Sequence, residues 1–395
     1  MLTNSQPQPH TDRFWGEASA VTAKRILMTA DTVGGVWTYA LELGGVLSKQ
    51  GVEVALATMG APLTPQQWEA AKQISGLQVF ESCFKLEWME DPWDDVQQAG
   101  NWLLDLEERF QPDVVHLNGY VHGALPWKSP VLVVGHSCVL SWWEAVKGDA
   151  APSNWQRYQR EVAQGLAAAD LVVAPSAAML AALKTHYGSS FQDRVIPNGH
   201  DSGLFSPLEK KEFVFTAGRL WDEAKNVAVL EQIAPQLIWS TYVAGNQKHP
   251  DGRADSINRL SKSNIHWLGH LNSQELAVWY GEASIYALLA RYEPFGLSVL
   301  EAALSGCALV LGDIPSLREI WGDAAVFVPP DERDAIASAI NALIADSSQR
   351  YKLATLARTR ALEYTSELMA SKYLTAYQEL IHKRELMSLE SLANP

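Results

Sequence analysis

Glu293 and Glu301 lie in the run Arg291-Tyr292-Glu293-Pro294-Phe295-Gly296-Leu297-Ser298-Val299-Leu300-Glu301, two carboxylates eight positions apart. Pro294 and Gly296 break the chain between them, and the apolar residues that follow predict a helix start. One carboxylate then stands before the helix and the other about a turn inside it. A helix N-terminus carries unpaired N–H groups and partial positive charge, so it attracts anions such as phosphate. Carboxylates beside it can accept hydrogen bonds from hydroxyls. Phosphates on backbone and hydroxyls on carboxylates together describe a sugar nucleotide.

Other residues could serve the same chemistry. Gly34-Gly35 sits between a predicted strand and a predicted helix, where glycine lets backbone approach a phosphate or sugar closely. Such turns also need glycine for geometry alone, and no third glycine completes a dinucleotide fingerprint. Arg219 and Lys225 flank a loop that follows a predicted strand. They read either as surface cations or as donors to a diphosphate, with each charge-assisted bond contributing roughly 1.5–3 kcal/mol. His116, His122 and His136 fall at or just after predicted strand ends, and His136 follows Val131-Leu132-Val133-Val134-Gly135 directly. Each is either a structural histidine or a group at the rim of a site. The chain has no H-E-x-x-H, paired Asp-x-Asp or Cys cluster for a metal, no G-x-S-x-G, and no P-loop.

The elements that must position these residues alternate. Lys24–Ala30 predicts a strand, Val36–Gln50 a helix stopped by Gly51, and Val52–Thr58 the next strand. Asp113–Leu117, Val131–Val134 and Leu171–Ala174 predict further strands. Ser153-Asn154-Trp155-Gln156 has the spacing of a capping box, predicting a helix to about Ala169, and Ser176 is placed to cap another. A turn-rich segment, Val195 to Asp201, leads to a predicted domain joint near Ser206-Pro207. A second series follows: strands at Phe213–Ala217, Trp239–Ala244, His266–Leu268, Ile285–Leu289, Ala308–Leu311 and Ala325–Val328. A helix is predicted over Asn226–Gln236 and a Gly/Asp/Lys-rich loop from the end of the Trp239 strand to Gly252. Residues from Arg333 to Leu392 are nearly all helix-compatible. This pattern predicts an α/β chain of two similar halves, each a parallel sheet with helices on both faces and a ligand cleft beyond the strand ends.

Composition bounds the rest. A chain of 395 residues predicts more than one domain. A net charge of −14 without a Lys/Arg-rich run argues against nucleic acid as partner and against a polybasic membrane anchor. The three cysteines, Cys83, Cys138 and Cys307, are widely spaced, so a disulfide framework is not expected and a reducing compartment is. Residues 1–23 are polar without an apolar core, predicting a disordered tail rather than a signal peptide. The apolar stretch Leu171–Leu183 is too short to span a membrane. These features predict a cytoplasmic location. Of 15 tryptophans, Trp88, Trp93, Trp102, Trp142, Trp143 and Trp155 crowd the first half, suited either to packing or to stacking on sugar rings.

In combination and in order, these residues resemble the family 4 retaining glycosyltransferases. The resemblance runs from about Lys24 to Tyr377. Gly34-Gly35-Val36 is similar to the family's glycine loop, and Val195-Ile196-Pro197-Asn198-Gly199-His200-Asp201 to its joint segment. Gly218-Arg219 with Lys225 is similar to its diphosphate-binding pair, Glu293 to Glu301 to its E-x7-E motif, and Glu319 to a downstream glutamate. The resemblance implies the GT-B fold: two Rossmann-like domains facing across a cleft, here 24–206 and 207–366, with a helix from 367–395 returning to the first. Arg219 and Lys225 would hold the donor diphosphate, Glu301 the ribose, and Glu293 the donor sugar. Backbone of Phe295, Gly296 and Leu297 would meet sugar or phosphate, with Gly34 and Gly35 closing from the other side. His136 would stand at the reaction centre. His116, Asn118, Trp142 and Trp143 are the acceptor-side candidates, the tryptophans on an expected loop Cys138–Pro152. Asn118 replaces a histidine frequent in the family, and Leu289-Ala290 replaces Pro-Ser.

The implied activity is metal-independent transfer, with retention, from a nucleoside-diphosphate sugar to an acceptor hydroxyl, UDP before GDP. No cofactor is implied. The acceptor is a small molecule, a glycan or a lipid-linked glycan, which leaves peripheral membrane contact open. The rival readings are a nucleotide-sugar epimerase of the same fold and a non-catalytic sugar-nucleotide-binding subunit.

Overall fold

A computed structural model describes residues 23–247 and 264–393. The predicted tail, apart from Ala23, and the end of the predicted loop to Gly252 lie outside the described residues. The first domain holds seven strands: β1 Arg25–Asp31, β2 Glu53–Met59, β3 Leu77–Glu81, β4 Val114–Leu117, β5 Val131–Val134, β6 Leu171–Ala174 and β7 Asp193–Val195. Its helices are α1 Gly35–Lys49, α2 Pro65–Lys72, α3 Trp93–Phe110, α4 Val139–Lys147, α5 Gln156–Ala168 and α6 Ala177–Tyr187. The second domain holds β8 Lys211–Ala217, β9 Ser240–Ala244, β10 Ile265–Gly269, β11 Ala283–Leu288, β12 Ala308–Gly312 and β13 Ala325–Val328. Its helices are α7 Val227–Ile233, α8 Ser273–Glu282, α9 Leu297–Leu304, α10 Pro315–Trp321, α11 Arg333–Ala345 and α12 Ser347–Ala361, followed by α13 Ser366–Ala393.

The sheet orders are β3-β2-β1-β4-β5-β6-β7 and β10-β9-β8-β11-β12-β13. All the strand pairings are parallel. β4, β5, β6, β11 and β12 are buried along their whole length, because helices cover both faces. Chain order reverses between β1 and β4 in one sheet and between β8 and β11 in the other. Crevices form at such switch points beyond the carboxyl ends of the strands. The loops after β1, β4, β8 and β11 therefore reach the gap between the domains.

α13 belongs to the first domain's core: Met369, Ala370, Tyr373, Ala376, Tyr377 and Leu380 pack with α1 and β1 residues in one buried cluster. At the joint, His200 bridges to Thr365, and backbone of Thr365 leaves no room for a side chain at Gly199. Three expectations change. Ser153 caps nothing: Ser153–Trp155 is a 3-10 turn after Pro152, and α5 starts only at Gln156. The helix expected over Asn226–Gln236 divides into α7 and a 3-10 turn at Ala234–Gln236, where Pro235 ends the regular hydrogen bonding. The expected Cys138–Pro152 loop is mostly α4, capped by the Cys138 sulfur accepting from the Ser141 N–H. Ser176 does cap α6, accepting from the Met179 N–H at 3.2 Å.

Candidate functional site

On the second domain, the loop after β11 carries Glu293 and ends at Gly296, whose φ of +90° starts α9 without a side-chain cap. The α9 N-terminus thus keeps its N–H groups for other partners. The Ser316 hydroxyl donates to the Glu293 carbonyl at 2.5 Å and fixes this loop. The Lys225 ammonium pairs with the Glu293 carboxylate, the two side chains being 13% and 11% exposed. Burial at this level makes each charge depend on the other. Arg219 pairs with Asp222 at 3.1 Å and stacks 5.3 Å from the Trp221 ring. Burial pushes the Asp222 carboxyl up, but Arg219, Lys225 and the Trp142 N–H outweigh it and hold the group below the usual range. The ring of His200 lies between Glu301 of α9, 3.6 Å away, and Glu42 of α1, 3.1 Å away.

From the first domain, Gly34 starts α1 with φ +102°, a conformation that disfavours any side chain. A β-carbon there would stand 3.3 Å from Arg219 Nη1, and one on Gly35 would stand 3.5 Å from Leu297 Cδ1. The glycine loop therefore approaches Arg219 and Leu297, the first residue of α9. His136 follows β5, and its Nε2–H donates to Asn118 Oδ1, 2.8 Å away. Burial lowers its pKa to about 3, so the ring is neutral. His116 is a correction: it is fully buried and does not face the cleft. It contacts the hydroxyls of Tyr377 at 2.6 Å and Tyr39 at 3.3 Å, tying β4 to α13 and α1.

Between the domains lies a cleft of about 740 Å³. Asn118, His136, Trp142 and Trp143 line it, with Arg219 opposite. Trp142 and Trp143 reach it from a helix, and the Trp142 Nε1–H donates to Asp222 across the gap at 3.0 Å. Trp88, Trp93 and Trp155 also line it, whereas Trp102 packs on Phe84 in the core. Lys225, Glu293 and Glu301 do not line this cavity.

Sequence reasoning missed several residues here. Asp31, at the end of β1, and Glu87, in the irregular segment after β3, both line the cleft. Burial raises both carboxyls to about 7. The Asp31 carboxylate accepts from the Val33 N–H at 2.6 Å, and Glu87 accepts from the N–H groups of Tyr120 and Val121 at 3.0–3.1 Å. Tyr292, beside Glu293, receives the Cys138 N–H on its hydroxyl at 3.0 Å. Glu319 accepts the N–H groups of Ala177 and Ala178 at 2.7 and 2.9 Å, capping the other domain's α6. Of these, Glu319 was not missed, since its resemblance had marked it; Asp31 had a signal in its place between a predicted strand and the glycine loop, and Glu87 had none.

Two Rossmann-like domains, each offering its switch-point loops to a shared cleft, define the GT-B architecture of glycosyltransferases. Residues 33–203 match the family described as Glycosyltransferase Family 4, and residues 211–346 match Glycosyl transferases group 1. The chain belongs to the family 4 glycosyltransferases. The D-inositol 3-phosphate glycosyltransferase of Xylanimonas cellulosilytica is 26% identical over 399 residues, covering 89% of this chain and 93% of that protein. The chain spans only 23% to 51% of several other relatives it matches. Sucrose-phosphate synthase of Thermosynechococcus elongatus has the same fold: TM-score 0.75 at 20% identity, covering 91% of this chain and 100% of that one. HepE of Anabaena, solved in complex with UDP-glucose, gives a TM-score of 0.71 at 17% identity, covering 90% and 99%. Among the described residues, no helix is long and apolar enough to cross a membrane.

Proposed function

We propose that this protein transfers a sugar, with retention of configuration, from a nucleoside-diphosphate sugar to an acceptor hydroxyl. The carrying observation is the approach of Gly34-Gly35 to Arg219 and Leu297 across the cleft, with the Lys225–Glu293 pair behind. UDP-sugars are the first choice of donor and GDP-sugars the second; the fold shared with a protein solved with UDP-glucose supports that order.

The donor diphosphate would bind between the α9 N-terminus and the glycine loop, where Arg219 and Lys225 can neutralise it. When the bond to the sugar breaks, negative charge grows on the leaving phosphate. Fixed cations aimed there favour the transition state, and loss of one such donor typically costs about 10²–10³ in rate. The acceptor oxygen would bond to the anomeric carbon from the face that the phosphate leaves, as the bond to the phosphate breaks, and its proton would pass to that phosphate, so retention needs neither a carboxylate nucleophile nor a separate base. With two side-chain cations serving the diphosphate, turnover is expected to persist in a chelator. His136, neutral through burial, would place a hydrogen bond near the reacting centre without adding charge.

A thermal-shift series with UDP, GDP, ADP and their sugars tests the donor site, because a ligand that binds only the folded state raises apparent stability by mass action. One nucleotide should raise Tm in a dose-dependent way. No shift with any of them would refute the donor assignment.

A further inference from the structure

We propose that the acceptor is an unphosphorylated polyhydroxyl ring, a free sugar or cyclitol or the neutral end of a glycoside, and not a sugar phosphate. The inference rests on the glycosyltransferase reading and names the acceptor class of its cleft.

The cleft wall has a distinctive composition. Six carboxylates line it, Asp31, Glu87, Glu90, Asp91, Asp222 and Glu223, against two lysine or arginine side chains, Lys85 and Arg219. Both cations already have protein partners. The Lys85 ammonium donates to the carbonyls of Glu90 and Asp91 at 3.0 and 3.4 Å, and Arg219 is paired with Asp222. The histidines of the wall, His122 and His136, are kept neutral by burial, so neither supplies positive charge. Asp222 and Glu223 are matched by Arg219 and by Lys147, 2.6 Å from Glu223, and Asp31 and Glu87 are partly protonated near neutrality, so the excess negative charge that a phosphate dianion would meet is chiefly that of Glu90 and Asp91.

The same wall suits a neutral ring. Trp88, Trp93, Trp142, Trp143, Trp155 and Trp221 offer indole surface for the C–H faces of a sugar. Asp31 and Glu87 stand at the first-domain end, and burial raises both carboxyls to about 7, so near neutrality each can accept from or donate to a hydroxyl. A site built for a phosphate instead presents arginine or lysine in bidentate or clustered form.

Quenching of intrinsic tryptophan fluorescence tests this on the full chain held at saturating UDP. The probes are three pairs: glucose and glucose 6-phosphate, fructose and fructose 6-phosphate, myo-inositol and its 3-phosphate. At least one parent compound should bind, and about tenfold or more tighter than its ester. Equal or tighter binding of an ester, or no binding by any parent, overturns the proposal. The double variant Glu90→Gln/Asp91→Asn removes two charges at exposed positions, and asparagine tolerates the left-handed backbone of residue 91. It should reduce the preference for the parent by about threefold or more while leaving parent affinity within about twofold. An unchanged preference would remove the electrostatic argument. UDP binding, read separately by thermal shift, separates the two claims. Its absence refutes the transferase reading, whereas its presence with an ester preference refutes only the acceptor class.

Discussion

Glu293 and Glu301 face different partners, and that difference predicts different kinetic losses. Glu293 is tied to Lys225, one of the two cations assigned to the diphosphate. Glu293→Ala should therefore lower kcat by about 10²–10³ with a smaller change in donor KM, because the charge it orients acts mainly as the leaving group departs. Glu301 sits a turn inside α9 beside His200, away from the reacting end. Glu301→Ala should raise donor KM about tenfold and change kcat little. Steady-state kinetics of the two variants decide the matter, and matching profiles would defeat the division of roles. At Gly34 the argument is steric. A methyl group there meets a strained φ of +102° and sits 3.3 Å from Arg219 Nη1. Gly34→Ala should displace Arg219 and weaken UDP binding about tenfold or more, as titration calorimetry would read, since even one good charge-assisted bond carries that much.

At the scale of elements, the fixed geometry comes from helix ends that cross the domain boundary. The α6 N-terminus is capped twice, by its own Ser176 and by Glu319 of the second domain. The Ser176 hydroxyl also donates to the carbonyl of Pro294, next to Glu293, at 2.7 Å. Glu319→Ala should cost about 1 kcal/mol, the usual worth of an exposed cap at a helix N-terminus. Exchange of the Ala177 and Ala178 amides should speed up about fivefold or more by hydrogen–deuterium measurement, and unchanged protection would argue that Glu319 is idle. Such contacts mark the limit of what sequence reading reaches. β5, β6 and β13 have the bounds expected from sequence, because continuous apolar runs between turn residues leave few alternatives. β3 and β7 escaped because edge strands carry polar residues, Gln78 and Glu81 in one, Asp193 and Arg194 in the other. Glu293, Glu301, Arg219 and Lys225 were legible from local punctuation: a charge placed just after a strand or around a glycine. Asp31 carries the same mark, directly after a predicted strand and before Gly34-Gly35, and sequence reasoning still missed it; Glu87 and Asp222 carry none, since only the long-range assembly of the cleft sets their surroundings. His116 misled for the converse reason: its strand-end position suggested a rim, and only the return of α13 buries it.

At the scale of the molecule, His200 stands between a carboxylate of each domain. Glu42 reaches it from α1 and Glu301 from α9; Phe205 packs edge-to-face with its ring at 4.9 Å, and the Asp201 carbonyl lies 3.3 Å from Nδ1. Burial alone would lower its pKa, but Glu301 and Glu42 outweigh burial and raise it above the ordinary 6.5. A histidine whose folded pKa is raised contributes stability that is fully present below the unfolded value. That contribution is lost as pH rises through the folded value. Wild type should accordingly exceed His200→Gln in Tm by the most below about pH 6, with the gap narrowing steadily above about pH 6.5. Asp31 and Glu87 also titrate near here, but with the opposite history. Their raised carboxyls penalise folding progressively between their ordinary values and about 7. Both are present in wild type and variant alike, so their effect cancels in the difference between the two curves. A gap that stayed constant from pH 5 to 9 would mean that His200 does not change charge in that window, and the domain junction would then be held by packing alone. A narrowing gap would instead identify a protonated His200 between Glu42 and Glu301, linking the α1 that begins at the glycine loop to the α9 that begins at Leu297.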